Sequence, residues 1–344
     1  MRAQDKKYIR IALELAQRGK GLTSPNPCVG AVVVKDGKIV GRGYHRRAGG
    51  PHAEIYALRQ AGRKAKGATL YVSLEPCCHY GRTPPCVNSI LFSGIRRVVA
   101  AIKDPNPLNN GKGIAALKRK GIKTEVGILE DEARKLNEAF IKYITKKIPF
   151  VTVKVAQSLD GKIATRTGDS KWISGAKARR FVHCLRSKVD AVIVGAHTVL
   201  KDDPLLTARI KGKKVRQPLR IILCGDSKIP ASARILNSKG GQVIILKAQK
   251  NGRVDIKSLL KDLAKKGITH VLIEGGGEVI ASAFEAKVVD KVYFFISPKI
   301  IGGRQAITSV EGVGVDRVNK AIDIKDAIVH KLGGDFMIEG YARN

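Results

Sequence analysis

The stretch from Pro51 to Cys86 constrains this chain more than any other. It opens Pro51-His52-Ala53-Glu54 and closes Glu75-Pro76-Cys77-Cys78-His79-Tyr80-Gly81-Arg82-Thr83-Pro84-Pro85-Cys86. His52, Cys77 and Cys86 form a nitrogen-and-sulfur donor set of the kind zinc takes, and three protein ligands leave a fourth tetrahedral position for water. Zinc lowers the pKa of such a water toward neutrality. Glu54, two positions after His52, is then a proton carrier and not a ligand. Cys77 lies 25 positions after His52, room for a helix, a strand (Thr69 to Ser73) and a turn. Cys86 follows nine positions later, farther than in a Cys-x-x-Cys pair, so it arrives at the end of a longer loop. Pro84-Pro85 stiffens that loop and places Cys86 at a helix start. Cys78 competes as a ligand, although adjacent side chains rarely reach one metal together. The competing reading is a structural zinc knuckle without catalysis, closed by Cys78 or His79.

Around this stretch, strands alternate with helices. A helix spans residues 5 to 19, with Tyr8, Ile11, Ala12 and Leu15 at helical spacing. Val29 to Val34 and Lys38 to Gly43 flank Asp36-Gly37, a hairpin signal. A helix from Glu54, strand 69–73, a helix from Cys86, strand 97–102, a helix near 113–120, strand 123–126 and a helix over 131–144 complete a mixed sheet covered by helices. Lys146-Lys147-Ile148-Pro149 marks a boundary, giving domains 1–146 and 147–344. The second opens with strand 150–157. A helix over 176–187, strands 191–195, 219–223 and 243–246, a helix over 256–266 and strand 270–273 follow. Glu274-Gly275-Gly276-Gly277-Glu278 then leads into a helix from Val279 to Ala286. Glycines between a strand and a helix suit anion binding, because backbone N–H groups and the helix N-terminus attract negative charge. The pattern is not Gly-x-Gly-x-x-Gly, so it is not a Rossmann fingerprint.

The first half resembles the deaminase half of the bifunctional riboflavin-biosynthesis deaminase–reductase family. The resemblance rests on Ser24-Pro25-Asn26-Pro27, Gly43-Tyr44-His45, His52-Ala53-Glu54 and the run from Glu75 to Cys86 with its long Gly-Arg-Thr-Pro-Pro loop. The second half resembles the same family's reductase half in Lys154, Ser158-Leu159-Asp160-Gly161, Trp172-Ile173, Leu185-Arg186, Thr198-Val199-Leu200, Asp202 through Thr207, Arg209 and Glu274-Gly275-Gly276. The resemblance implies an α/β chain with a cytidine-deaminase-like three-layer domain followed by a dihydrofolate-reductase-like domain. It implies zinc-dependent deamination of a phosphorylated diaminopyrimidine, then NADPH-dependent reduction of its ribose to ribitol. It further implies pyrimidine contacts at Asn26, His45, His79 and Arg82. NADPH contacts are implied at Ala156, Trp172, Thr198, Asp202 and the turn Gly276, Gly277, Glu278, Val279, Ile280, Ala281 and Ser282. Substrate contacts in the second half are implied at Ser170, Arg186, Leu206, Arg209 and Glu274, with Lys154 polarising or protonating the sugar carbonyl. Arg186 and Arg209 suit this, since guanidinium forks pair with phosphate bidentately. The family's Asp-Ser after strand 219–223 is displaced here to Asp226-Ser227, so that cofactor contact is not assigned.

Composition bears on partners. Lys and Arg number 64 against 29 Asp and Glu, a net charge of +35, which attracts phosphorylated ligands and polyanions alike. The basic residues are dispersed and aromatics are only 5%, too few for a base-stacking surface, so no specific nucleic-acid partner is expected. A tRNA-acting zinc deaminase with an appended domain is the alternative; it calls for Cys-x-x-Cys spacing and leaves the second half unexplained. No apolar run approaches the ~18 residues of a membrane helix, and residues 1–7 contain no apolar segment of a secretory signal. With thiolates assigned to metal, the chain is expected in the cytoplasm, away from membranes, and a homo-oligomer is compatible with the sequence.

Overall fold

The computed structural model describes residues 2–81, 83–248 and 254–343. The chain falls into two compact units, Met1–Lys147 and Ile148–Asn344.

In the first unit, α1 (Arg2–Gln17) precedes a hairpin of β1 (Gly30–Lys35) and β2 (Lys38–Tyr44). Asp36 and Gly37 both take positive φ, 48° and 74°, the mirror-image turn that matches strand twist. There follow α2 (Ala53–Ala61), β3 (Thr69–Val72), α3 (Cys86–Phe92), β4 (Arg97–Ala100), α4 (Lys112–Arg119), β5 (Lys123–Val126), α5 (Glu130–Leu136) and α6 (Glu138–Lys146). The sheet order is β2-β1-β3-β4-β5, with β1 antiparallel to both neighbours and β3, β4 and β5 parallel.

Glycines set the layers. A Cβ at Gly30 would lie 2.0 Å from the Ala12 carbonyl of α1, and one at Gly41 would lie 2.1 Å from the Ala57 carbonyl of α2. Gly41 pairs with Val33, so it shares a face with Val33, whereas Gly30 points to the other. Helices α1 and α2 therefore cover opposite faces, and both press directly on the backbone. The single helix expected over 131–144 is instead two, α5 and α6. The break is at Asn137, which is buried and spends its side chain on Cys28: Oδ1 accepts from the Cys28 N–H at 2.8 Å and Nδ2 donates to its carbonyl at 3.0 Å. That pairing ties the Pro25–Cys28 loop to the helical layer.

The second unit runs β6 (Phe150–Ser158), α7 (Ala176–Arg186), β7 (Ala191–Gly195), α8 (Ala196–Asp202), β8 (Leu219–Cys224), α9 (Arg234–Asn237), β9 (Val243–Lys247), α10 (Ile256–Lys265), β10 (His270–Ile273), α11 (Gly277–Glu285), β11 (Lys291–Ser297), β12 (Ile324–Leu332) and β13 (Asp335–Ala342). The sheet order is β12-β13-β11-β6-β10-β7-β8-β9. Strands β11 to β9 in that order are parallel; β13 lies antiparallel on β11 and ends in a hairpin with β12. Central strands buried on both faces read as continuous aliphatic runs. Val153, Ile193 and Ile273 pack with Leu260 and Leu263 of α10 and Ile280 of α11. Val192, Val194 and Leu272 pack on the other face with Ala178, Val182 and Leu185 of α7.

Candidate active sites

The first site lies beyond the carboxyl end of β3, where open parallel sheets hold ligands. His52 is the residue before the first turn of α2, Cys77 is in the loop after β3, and Cys86 follows Pro85 as the first residue of α3. Their donor atoms all lie within 4.8 Å of one another. His52 Nδ1 is 3.2 Å from Cys86 Sγ and 3.5 Å from Cys77 Sγ, while the Cys86 N–H donates to Cys77 Sγ at 3.3 Å. Bonds of about 2.0 Å to nitrogen and 2.3 Å to sulfur give a tetrahedron whose N···S edge is about 3.5 Å. The three donors therefore fit zinc. A hydrogen bond from Cys86, then one with His52, holds the Cys77 thiol down at about 4, so it presents a thiolate. Thr83, which the sequence did not single out, places Oγ1 3.2 Å from His52 Nε2 and so sets the ring with Nδ1 toward the sulfurs. Cys78 and His79 are not in the cluster among the described residues.

Glu54 sits in the first turn of α2, buried. Burial, and then the negative charge of Cys77, raises its carboxyl to about 7. Its Oε2 has no hydrogen-bond partner among the described residues. A buried carboxylate oxygen left open beside a metal donor set is placed to exchange protons with a bound molecule. The cavity here has a volume of about 300 Å³, and Asn26, His45, His52, Glu54, Cys77 and His79 line it. His45 Nδ1 donates to the Pro51 carbonyl at 3.0 Å, which leaves Nε2 to accept from Asn26 Nδ2 at 3.2 Å. Burial lowers the His45 pKa, so this neutral tautomer persists and turns the Asn26 amide. Arg82 lies outside the described residues.

Below the metal loop, the buried Glu75 carboxylate accepts backbone N–H bonds from Asp104 at 2.9 Å, Gly111 at 2.8 Å and Ile114 at 3.0 Å. In the sequence Glu75 is only a motif member; a lone acid before Pro-Cys carries no signal that it caps a distant loop.

The second site is a cavity of about 380 Å³ over the end of the parallel sheet. Lys154 on β6, Glu274 directly after β10 and Arg186 at the end of α7 meet at its floor. Ile273 pairs with Val153, so the parallel register brings the two next residues, Glu274 and Lys154, side by side. Lys154 Nζ is 3.7 Å from Glu274 Oε2. Burial lowers the Lys154 pKa, against the opposing charge of Glu274. Burial pushes Glu274 up, but the Arg186 charge and hydrogen bonds outweigh it and hold the carboxyl below its ordinary range.

Arg186 departs from its expected use. Its Nε and Nη2 donate to Glu274 at 2.5 and 2.8 Å and its Nη1 donates to the Thr207 carbonyl at 3.3 Å. The fork is taken by a carboxylate, so it is not available to grip a phosphate bidentately. Arg209 is exposed at the rim, and His183, unremarked in the sequence, orients it. His183 Nδ1 donates to the Thr207 carbonyl at 3.0 Å and Nε2 faces Arg209 Nη2 at 3.2 Å. Burial, with Arg186 and Arg209 nearby, lowers the His183 pKa, which keeps Nε2 an acceptor.

Ala156, Ser170, Trp172, Thr198, Asp202 and Leu206 also line this cavity. Ser170 Oγ donates to Asp202 Oδ1 at 2.6 Å, joining an expected substrate contact to an expected cofactor contact. Of the glycine turn and α11, Gly275, Gly276 and Ile280 line the cavity, whereas Gly277, Glu278, Val279, Ala281 and Ser282 are not among its lining residues. Gly275 and Gly276 take φ of 132° and 76°, and an added Cβ at either would lie 3.4–3.5 Å from Thr198. A tight positive-φ turn opening a nine-residue helix fits the phosphate of a dinucleotide, so the residues present suit NADPH. Arg220, fully buried in β8, donates to the carbonyls of Leu205 and Gly241 at 3.2 and 2.6 Å and anchors the loop that carries Leu206 and Arg209. An Arg inside Leu219-Arg220-Ile221-Ile222 was the available signal.

The profile of the RibD C-terminal domain matches residues 149–338, and that of the cytidine and deoxycytidylate deaminase zinc-binding region matches residues 2–102. The riboflavin biosynthesis protein RibD of Aquifex aeolicus (strain VF5) is 46% identical over 98% of this chain and 98% of its own. That of Escherichia coli (strain K12) is 40% identical over 87% of this chain and 89% of its own. Among solved structures, Acinetobacter baumannii RibD, form 1, is 38% identical, covers 100% of both chains and superposes with a TM-score of 0.92. A diaminohydroxyphosphoribosylaminopyrimidine deaminase/5-amino-6-(5-phosphoribosylamino)uracil reductase from Thermotoga maritima is 39% identical, covers 99% of both and superposes with a TM-score of 0.88.

Proposed function

The chain belongs to the RibD family of riboflavin biosynthesis proteins, and from that premise we propose which of its residues carry each half-reaction. As a member it is a bifunctional enzyme, a zinc-dependent deaminase and an NADPH-dependent reductase, acting on a small-molecule pyrimidine. The pyrimidine is the diaminohydroxyphosphoribosylamino compound named for the Thermotoga relative. The convergence of His52 Nδ1, Cys77 Sγ and Cys86 Sγ beside the open Glu54 oxygen carries the assignment of the first site.

Bound there, zinc supplies the Lewis acidity that makes water nucleophilic at neutral pH. Glu54 takes a proton from water and delivers it to the departing ammonia, so hydrolysis replaces the ring amino group by a carbonyl oxygen. Asn26, with its amide turned by His45, and His79 hold the ring edge. Burial of Glu54 keeps its proton affinity near neutrality, where one group serves as base and then as acid. In the second site, bound NADPH would supply the hydride that reduces the opened ribose. Lys154 holds its proton toward the sugar carbonyl oxygen, Glu274 and Arg186 fix Lys154 in place, and Arg209 meets the phosphate.

We place the enzyme in the cytoplasm, in keeping with six cysteines outside disulfides, two of them assigned to zinc. No helix among the described residues is long and apolar enough to cross a membrane. No nucleic-acid partner is assigned. Glu54→Gln tests the first site: ammonia release should fall by roughly 10²–10⁴-fold while zinc stays bound. NADPH oxidation with the deaminated aminouracil phosphate should be unchanged. Near-parent ammonia release would remove Glu54 from the proton path.

A further inference from the structure

The three zinc donors are not held alike. His52 and Cys86 sit at the starts of α2 and α3, where a helix fixes their backbone. Cys77 lies in the irregular loop between β3 and α3, with no helix or strand of its own. Its carbonyl accepts from the Val87 N–H of α3 at 3.2 Å, and a bracket of hydrogen bonds holds the two peptide groups that flank it. Asn109 Oδ1 accepts from the Cys78 N–H at 3.0 Å and Asn109 Nδ2 donates to the Pro76 carbonyl at 3.3 Å. The same Nδ2 donates to Asp104 Oδ2 at 3.2 Å, which fixes the amide's sense.

Asn109 is itself immobilised. It is fully buried, its N–H donates to the Asn106 carbonyl at 2.9 Å, and its carbonyl accepts from the Lys112 N–H at 2.6 Å. The turn that presents it is held in turn by Glu75, through the Asp104 and Gly111 N–H groups. An amide is the only side-chain group that offers one acceptor and a two-proton donor in a single plane, matching a C=O and an N–H on either side of one residue.

We propose that Asn109 is a positioning residue for the metal: it sets where Cys77 Sγ stands, as the helix starts do for His52 and Cys86. The proposal rests on the assignment of Cys77 as a zinc ligand. Groups that orient metal ligands typically affect metal affinity by about 10–100-fold.

The test uses full-length Asn109→Ala and Asn109→Asp, with cobalt(II) in place of zinc and a chelator to time metal loss. Both variants should lose metal about 10–100-fold faster than the parent and show a shifted thiolate-to-cobalt absorption band. Asn109→Asp belongs with the alanine variant because its second oxygen would face two acceptors. A role confined to stability would lower the melting temperature of the first unit and leave the cobalt band in place. Parent-like release and an unshifted band in a folded variant would overturn the proposal. Absence of a thiolate band from the parent would instead overturn the ligand assignment beneath it. Should neither variant fold, hydrogen exchange of the parent decides. The Cys78 N–H should stay protected after metal is stripped, and rapid exchange there would overturn the bracket.

Discussion

Glu274→Gln removes one negative charge from the floor of the second cavity and keeps the side chain's shape. In the parent, Arg186 donates to this carboxylate at 2.5 and 2.8 Å and Lys154 Nζ is 3.7 Å away. The Glu274, Arg186 and Lys154 side chains are 1%, 13% and 17% exposed, so water cannot replace the missing charge. Deleting one partner of a buried ion pair costs about 3–5 kcal/mol, because the other charge is stranded. For a unit of this size each kcal/mol corresponds to about 2–4 °C, so the melting temperature of the second unit should fall by roughly 6–20 °C. Calorimetry on the full chain reads this, the second unit being the transition that added NADPH raises. Arg186→Met in the same chain removes the stranded guanidinium and should restore part of the loss. Glu274 is held below its ordinary range, so its contribution is in place above the unfolded pKa near 4.3 and is lost as pH falls through the folded value. The penalty should therefore shrink in acid. A variant that melts within about 2 °C of the parent at pH 7 would show that Glu274 does not hold a buried ion pair together.

Three further outcomes are expected. Burial sets the Lys154 pKa below that of a free lysine, so the reductase rate should fall on the alkaline side as this proton is lost. Lys154→Met should be slow and lack that limb; a limb that survives in it belongs to another group. In the first unit Asp5 accepts from Arg97 at 2.8 and 2.9 Å and from the Tyr71 hydroxyl at 2.8 Å, and the Arg97 bond holds its pKa down. Arg97 keeps Glu125 at 2.6 Å, so Asp5→Asn should destabilise that unit at pH 7 by about 1–3 kcal/mol, with the gap from the parent closing below about pH 4, as urea titrations at both pH values would show. With a net charge of +35, kcat/KM for either phosphorylated substrate should fall as salt rises, and transfer RNA should bind at low salt only. Fluorescence anisotropy with sub-micromolar affinity at physiological salt would contradict this.

Much of the first unit was legible because its signals are local. Asp36-Gly37 announces its hairpin, and the prolines before Cys86 announce a helix start. The break at Asn137 was not legible: an Asn interrupts the helical pattern only because its side chain finds Cys28, far away in sequence. Beyond Ala286 the second unit was not legible. Strand β11, Lys291–Ser297, is nearly continuous in apolar residues because it lies inside the sheet, parallel to β6 and antiparallel to β13, and is largely buried, so it lacks alternation. Strand β12 is an edge strand, exposed along most of its length, and gives no alternation either. At the sites, donor identity was legible from residue type and spacing. Pairing was not: Arg186 reads as a phosphate grip until Glu274 is seen to fill its fork. Asn109, Thr83 and His183 act through contacts that only the fold creates.

Two independent sites should act in sequence on one pyrimidine. Stripping zinc from the full-length protein and following ammonia and NADPH together separates them. The stripped enzyme should release no ammonia from the diaminopyrimidine phosphate, yet oxidise NADPH at the parent rate when given the deaminated aminouracil phosphate. Loss of NADPH oxidation along with zinc, or NADPH oxidation on the diaminopyrimidine without ammonia release, would contradict the account.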